Sequence, residues 1–574
     1  MINNELAELF DRMSRVLAFK GEDRFRILAY QRAAVSLRDL EEDLTSMSAE
    51  RRLGEIPGVG KDLAAMIEEY IETGEVQRYI AACKGIPASL IDLMEVPGLG
   101  PKTLSILHKK LGIESIEDLN SVIENGTLGK LKGFGDKRAE NLRRGLELWL
   151  AGRKRIPLGA ALPIADGLLA AVRKLPSVKR ADIAGSIRRH RETIADLDLL
   201  LVSTDTARSL SEFSKLPAVK QVLALGDTRA TVLINEGLQV DVRALDESAY
   251  GAALVYFTGS KEHNVHLRTI ARARGLKLSE YGVFHGSKRI AGEDEKDVYR
   301  ALKMPLIPPE LREDRGEIDV ALDDRLPELV EVRDLRGDLH SHTTYSDGRA
   351  SMKEMVERAG QLGYEYFAPA DHSPSARVAR GLDLDRLEQK LEELEKLRKI
   401  WRGQKLRILF GTEVDILPNG KLDYPDSILA RFDVVTASVH ASFKQSKDEM
   451  TGRLLDAISS PHVDIIGHPT TRLLGSRGPV EFDLERVVRA AAEARVALEV
   501  NGSPYRLDLT DTMARVAQEG GALLAINSDA HSVSQLDQIK YGVFQARRGW
   551  VRAETVVTTW PLACLEQWLN RDSQ

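Results

Sequence analysis

The sequence predicts a multidomain α+β chain: helices gathered at the front, a mixed sheet with a smaller α/β piece in the middle, and a β/α barrel behind. Three observations carry that reading. A G-x-G loop recurs three times before residue 150, two aspartates alternate with apolar residues near position 197, and histidines cluster at the ends of short apolar runs after residue 336. A length of 574 residues allows several compact units, since domains run about 100–200 residues.

Bulk properties exclude some classes. Hydrophobic residues make up 43%, enough for each unit to bury a core. Cys83 and Cys564 are the only cysteines and lie far apart, which argues against a disulfide framework and for a reducing, cytoplasmic setting. The first stretch, MINNELAELFDRMSRVLAF, reads as an amphipathic helix with early acids, so no secretory leader is expected. No apolar run approaches a membrane span. No heptad stripe is present, so a monomer is expected. The net charge of −6 does not suggest nucleic acid, although a total hides local patches.

The front repeats one pattern. "IPGVGKDLAAMI" begins at Ile56, "VPGLGPKTLSIL" at Val96 and "LKGFGDKRAENL" at Leu131. Each has an apolar residue, G-x-G, then helical periodicity. Glycine allows the turn, and the helix start presents free N–H groups that suit a phosphate oxygen. Gly58, Gly60, Gly98, Gly100, Gly133 and Gly135, with Lys61 and Lys137, are the candidate DNA contacts. Residues 130–155 hold nine Lys/Arg against three Asp/Glu, which favours a polyanion there. The loops resemble the helix-hairpin-helix motif of DNA repair proteins, which grips the sugar-phosphate backbone without reading bases.

In "AGSIRRHRETIADLDLLLV", Asp196 and Asp198 stand at i and i+2 on a strand and so share a face. "LQVDVRAL" supplies Asp241 as a third carboxylate. Such a set suits two Mg²⁺ or Mn²⁺ ions about 3.5–4 Å apart in phosphoryl transfer. Gly185 and Ser186, with Arg188 and Arg189 behind them, are candidates for holding a triphosphate. Gly185, Ser186, Asp196 and Asp198 match the nucleotidyltransferase signature of the family X DNA polymerases, and "VYFTGSKEHNVHLR" resembles their polymerase-beta-like members. The resemblance implies that Tyr256 and Phe257 face the nucleotide sugar, that Gly259 belongs to the same nucleotide-binding stretch, that Asn264 meets the incoming base and that Arg268 meets the templating side. "KRIP" at Lys154–Pro157 resembles the entry to the family's palm, and Tyr30 in "LAYQRAA" resembles a DNA contact of its lyase-type domain. Where animal relatives carry a Schiff-base lysine, this chain has Met66, and a thioether forms no imine. Sugar-phosphate lyase activity is therefore expected to be weak or absent.

Seven of the twelve histidines lie from Arg336 onward. "DLHSHTTYSDG" gives His340, His342 and Asp347, "PADHS" gives His372, and "FGTEVDI" gives Glu413. "TASVHAS" gives His440, "IIGHPT" gives His468, and "INSDAH" gives Asp529 and His531. Imidazole and carboxylate suit Zn²⁺, Mn²⁺ or Fe²⁺. Strand, polar tip and helix recur, which predicts a β/α barrel with its site at the C-terminal strand ends. His462 fits no cluster and is assigned no metal. The clusters resemble the PHP (polymerase and histidinol phosphatase) family, which implies a distorted seven-stranded barrel and a trinuclear Mn²⁺ or Zn²⁺ centre. By resemblance, His340, His342, Glu413 and Asp529 surround one metal. Glu413 bridges to a second held by His440 and His468, and Asp347, His372 and His531 hold the third.

The expected organisation is a lyase-type helical domain at 1–90, a helix-hairpin-helix domain at 91–152, a nucleotidyltransferase palm at 153–248, and a nucleotide-binding thumb or fingers at 249–318. A linker at 319–334 and the PHP domain at 335–574 complete it. The front half is expected to fold on a core of its own. The expected function is filling of short DNA gaps from dNTPs on primed DNA, with 3′→5′ exonuclease activity in the barrel. AP endonuclease or 3′-phosphatase activity are further readings of that second site. The alternatives are a small-molecule phosphatase tethered to DNA and a non-catalytic DNA-end scaffold. Asp196, Asp198, Asp241 and Glu413 are the expected catalytic set.

Overall fold

The computed structural model describes residues 2–38, 40, 44–94, 96, 98–131, 134–135, 138–143, 145–146 and 155–570. They form two compact units, Met1–Lys154 and Arg155–Gln574.

The first unit is helical. α1 (Ile2–Lys20) and α2 (Arg24–Arg38) pack through Leu6, Phe10, Met13 and Leu17 on one side and Tyr30, Ala33 and Leu37 on the other. This is the i, i+3/i+4 spacing of an amphipathic helix. The G-x-G loops repeat one local geometry. Gly58 and Gly98 take φ of 81° and 83°, while Gly60 and Gly100 cap α3 (Lys61–Thr73) and α4 (Pro101–Leu111). Val59, Leu99 and Phe134 N–H donate to the carbonyls of Ile56, Val96 and Leu131 at 3.0, 2.9 and 2.8 Å. Ala64, Leu104 and Ala139 N–H donate to Gly60, Gly100 and Gly135 at 2.9, 3.0 and 3.1 Å. The third loop thus repeats the bonds of the other two, although Gly133 and Lys137 lie outside the described residues.

The second unit begins with a five-stranded sheet. After α5 (Leu158–Val172) come β1 (Val178–Ile183), the single turn α6 (Gly185–Arg188) and β2 (Asp196–Ser203). β3 (Val219–Leu225), β4 (Arg229–Ile234) and β5 (Gln239–Leu245) complete it in the order β1-β2-β5-β4-β3. β2 and β5 run parallel and the other neighbours antiparallel. Leu197, Leu199 and Leu201 of β2 pack toward α5. Leu200 and Val202 pack instead against Tyr250, Ala253 and Leu254 of α7 (Tyr250–Thr258). Asp196 and Asp198 extend that second face to the start of the strand, by the two-residue period of a strand. α8 (Lys261–Ala273) and a three-stranded meander, β6 (Lys277–Ser279), β7 (Gly282–His285) and β8 (Lys288–Ala291), follow.

The remainder is a parallel β/α barrel. β9 (Gly337–Ser341), β10 (Tyr366–Pro369) and β11 (Arg407–Ile408) form one run of paired strands. β12 (Gly411–Asp415), β13 (Val434–Ser438), β14 (Ile465–Ile466), β15 (Ala497–Asn501) and β16 (Leu523–Asn527) form the other. Bridges at Ser341–Ala530 and His372–Glu413 join the two runs. Only Leu409 and Phe410 separate β11 from β12, so they are one broken strand and the barrel has seven. Strands β9, β10 and β12 to β15 are buried throughout, as strands covered on both faces are. Among the helices between strands are α9 (Leu384–Ile400), α10 (Asp511–Glu519) and α11 (Ile539–Arg548).

The palm does not close its core alone, which differs from the expectation for the front half. Leu507 and Tyr541 of the barrel complete the palm core, and Trp550 completes that of the thumb. The His190 ring stacks on Phe544 at 3.8 Å, Arg547 Nε donates to Glu310 at 2.7 Å, and Arg472 Nη2 donates to Glu192 at 2.7 Å.

Candidate active sites

The palm brings its three expected carboxylates together. Asp198 on β2 pairs in register with Asp241 on β5, and Asp196 lies two residues before it. Gly185 caps the arrangement with φ 66°, and a Cβ there would stand 2.3 Å from Asp198 Oδ2. Glycine is required on both counts. Asp198 is pushed up to about 7, first by burial and then by the charges of Asp196 and Asp241. Repulsion of this kind between carboxylates is relieved by a bound cation. Burial also acts on Asp241, but hydrogen bonds from Thr231 at 2.6 Å, Arg229 at 2.9 Å and Gln239 at 2.8 Å outweigh it and hold its carboxyl low.

The neighbouring groups divide into two kinds. Ser186 follows Gly185 in α6 and is half-buried. Tyr256 and Phe257 end α7 with rings edge to face at 5.0 Å. Arg243, two residues beyond Asp241, lies 4.5 Å over the Phe257 ring and its charge favours the ionised Asp198. The sequence reading missed Arg243, although its i, i+2 relation to Asp241 marks the shared face. Asn264 donates to the Tyr256 carbonyl at 2.7 Å, and Gly259 lies so close to it that a Cβ would meet Asn264 Oδ1 at 2.9 Å. Arg268 is exposed on α8. Arg189, expected to reach the nucleotide, is buried instead. Its Nε is 3.0 Å from Glu313 and its Nη1 bonds the Thr258 carbonyl, so the residue ties α6 to the thumb.

In the first unit, Lys61 stands exposed at the first turn of α3. Tyr30, expected to touch DNA, is a core residue. It is 3% exposed, with its hydroxyl 3.6 Å from Met66 Sδ and its ring edge-on to Phe10.

All nine expected ligands of the barrel converge at the C-terminal ends of its strands. Glu413 is central. Its Oε2 lies 2.9 Å from His372 Nδ1, 3.4 Å from His340 Nε2 and 3.6 Å from His342 Nε2. Its Oε1 lies 2.9 Å from His468 Nε2 and 3.3 Å from His440 Nε2. Asp529 Oδ1 lies 3.2 Å from His342 Nε2, and Asp347 lies 3.6 Å from His372 and 3.5 Å from His531. Three ligand groups have atoms within 4.8 Å of one another: His342, Asp347, His372 and His531; His340, His342 and Asp529; His372, Glu413 and His440. His342 and His372 each serve two groups, a sharing that the sequence did not show.

The donors fit divalent cations. Glu413 Oε1 and Oε2, His340 Nε2, His342 Nδ1, His372 Nδ1, His468 Nδ1 and Asp347 Oδ1 are buried without a hydrogen-bond partner. Native interiors leave few such atoms, and ligand atoms of a metal centre are a recognised exception. Burial, then the neighbouring His531 and His372, hold His342 down to about 4, so it stays a neutral donor. A second layer sets the rings. Glu499 lies 2.7 Å from His340 Nδ1 and accepts from the His468 N–H at 2.7 Å, while Asp415 bonds His440 Nδ1. Asn527 and Asn501 donate to Glu499 at 2.9 and 3.1 Å. Such partners fix ring orientation and basicity. Sequence reasoning missed Glu499, on β15 in "ALEVN", because no histidine stands near it in the chain.

Among the described residues no helix is long and apolar enough to cross a membrane. A palm with three carboxylates and a barrel with a polyhistidine centre define a nucleotidyltransferase joined to a metal-dependent phosphoesterase-type domain. Comparison agrees part by part. Residues 1–76 match a helix-hairpin-helix domain, 90–147 a SAM-like helix-hairpin-helix tandem, 253–313 the DNA polymerase beta thumb and 338–503 the PHP domain. The chain is 37% identical, over the whole of both proteins, to the DNA polymerase/3′-5′ exonuclease PolX of Bacillus subtilis (strain 168). A probable phosphatase of Thermoanaerobacter sp. (strain X514) is 29% identical over 39% of this chain and 89% of its own. The chain belongs to the family X DNA polymerases that carry a C-terminal PHP domain.

Proposed function

We propose that this chain is a DNA polymerase that fills short gaps during repair and whose barrel removes nucleotides from 3′ ends. The observation that carries the first half is the register of Asp198 with Asp241 beside Gly185, within a chain related to a PolX over its full length. Asp196, Asp198 and Asp241 would hold two Mg²⁺ or Mn²⁺ ions. Gly185 and Ser186 would take the triphosphate of a dNTP, and Tyr256 and Phe257 would face its sugar. Asn264 would meet the incoming base and Arg268 the template. The helix starts after Gly60 and Gly100, with the matching loop at Gly135, would hold the DNA backbone, without reading sequence.

In the barrel, His340, His342, Asp347, His372, Glu413, His440, His468, Asp529 and His531 would hold up to three ions, Mn²⁺ or Zn²⁺. Bound ions at either centre supply Lewis-acid stabilisation of developing charge on phosphoryl and leaving oxygens. Glu413 spans both sides of the centre and so sets the spacing of what binds there. Glu499 and Asp415 keep His340 and His440 in their ligating orientation. The likeness of the barrel to probable phosphatases favours one second reading, a phosphatase acting on small monoesters. The two free cysteines, Cys83 and Cys564, support a reducing, cytoplasmic setting.

Primed, gapped DNA with Mg²⁺ or Mn²⁺, with and without dNTPs, tests the proposal. Extension with dNTPs and 3′ shortening without them are expected. Hydrolysis of a small monoester alone, with neither DNA reaction, would favour the second reading.

A further inference from the structure

Two loops at the mouth of the barrel centre are basic. The segment 469–480 carries Arg472 and Arg477 and no acid, and the segment 502–508 carries Arg506 and one acid, Asp508, which accepts from the Thr470 hydroxyl at 2.8 Å. Arg472 is committed, with Nη2 on Glu192 at 2.7 Å and Nε on the Arg506 carbonyl at 2.9 Å. Arg477 donates Nε to the Thr471 carbonyl at 2.8 Å and lies 4.1 Å over the Phe443 ring. Arg506 differs from both. Its Nε lies 3.3 Å from Oδ2 of the ligand Asp529, and its Nη1 is buried without a partner.

A buried donor left unpaired is costly, more so on a charged group, unless something else binds it. Asp529 is an expected metal ligand, so its charge is shared and does not satisfy the guanidinium fork. Arg477 and Arg506 are also close enough to repel. Arg477 is held down to about 10, first by burial and then by Arg506, against the opposing charge of Asp508. A planar donor fork beside a second cation, at the edge of a metal centre, is matched by a phosphate.

We propose that Arg506, backed by Arg477, holds the phosphate of the nucleotide being removed, so that it is a substrate-binding residue of the barrel site. This rests on the exonuclease reading above. The bland alternative is that Arg506 only neutralises Asp529. The two differ in what its loss does to metal and to phosphate.

Full-length Arg506→Ala and Arg506→Lys are compared with the parent protein. Bound Mn²⁺ per chain is measured after dialysis, and thymidine 5′-monophosphate is titrated calorimetrically into the Mn²⁺-loaded proteins. The polymerase site is identical in all three, so its share of the binding cancels. Arg506→Ala is expected to keep its Mn²⁺ and to bind the nucleotide about 10- to 100-fold more weakly, the loss of a charged hydrogen-bond pair. Arg506→Lys should fall between, since it keeps the charge and loses the fork. Unchanged nucleotide binding at full Mn²⁺ content overturns the proposal. So does a loss of Mn²⁺ in step with the loss of binding. If the parent binds the nucleotide through Arg506 and yet leaves 3′ ends intact, the phosphate site stands and the exonuclease reading falls.

Discussion

Arg548, at the end of a barrel helix, donates from Nη1 to Glu313 of the thumb at 2.9 Å. The same guanidinium reaches the Arg189 carbonyl at 2.8 Å and Asp511 at 2.8 Å, and its side chain is 4% exposed. Arg189 in turn bonds the Thr258 carbonyl, next to the residues proposed to face the nucleotide sugar. The polymerase half and the barrel are thus joined through buried charge rather than by a tether.

Breaking a buried pair by removing one partner costs about 3–5 kcal/mol, because the other charge is left behind. Arg548→Met should therefore destabilise palm, thumb and barrel together, by about 3 kcal/mol. Thermal unfolding followed through both activities checks it. Loss of the two activities in parallel is expected, and barrel loss with an unchanged palm would contradict it.

Ending the chain near Val332 should harm the polymerase half as well. It removes Leu507 and Tyr541 from the palm core and Trp550 from the thumb core. It also leaves Glu310 and Glu313 without Arg547 and Arg548. The fragment should melt lower than the full chain and expose apolar surface to a reporter dye. A fragment as stable as the whole chain would refute the shared core.

Glu295 should give the fold an acid limit. Burial opposes its charge, but Arg312 at 2.6 Å and Arg188 at 2.6 Å outweigh this and lower its carboxyl from 4.5 to about 2. A depressed carboxylate stabilises above its unfolded value and loses that contribution as pH falls toward its folded one. The window is therefore about pH 4.5 down to about 2, and the contribution above it is about 3 kcal/mol. Glu295→Gln should be less stable than the parent in urea at neutral pH, with the gap narrowing through that window. A gap that does not change with pH would exclude this role.

Sugar-phosphate lyase activity should be absent. Met66 is buried against the Tyr30 hydroxyl, and the nearby Lys61 points its charge to solvent at a helix start. Borohydride should not trap the chain on an abasic 5′ end. Efficient trapping that survives Lys61→Ala would show that another lysine serves.

Some of this was legible in the chain and some was not. Local spacing placed Asp196 with Asp198 and His340 with His342, because a strand puts i and i+2 on one face. Repetition revealed the three loops, and their hydrogen bonds recur residue for residue. What failed depended on contacts distant in sequence. Tyr30 and Arg189 looked like surface contacts, but a neighbour 36 residues away and a thumb glutamate claim them. Glu499 and Arg506 carry no local mark, since only barrel closure brings β15 and its loop to the histidines. The joint core had no signal at all, because Leu507 and Tyr541 read as ordinary barrel residues.

Two independent centres acting on one DNA substrate can be separated in a single assay. Parent, Asp198→Asn and Glu413→Gln are given gapped DNA with a mismatched 3′ end, in Mn²⁺, with and without dNTPs. Asp198→Asn should lose extension by about a thousandfold or more while still shortening the mismatch, since one carboxylate of a shared two-ion set is gone. Glu413→Gln should leave the mismatched end uncut while filling a matched gap at the parent's rate. If Glu413→Gln shortens 3′ ends as fast as the parent, or if Asp198→Asn still extends, the assignment of the two centres is wrong.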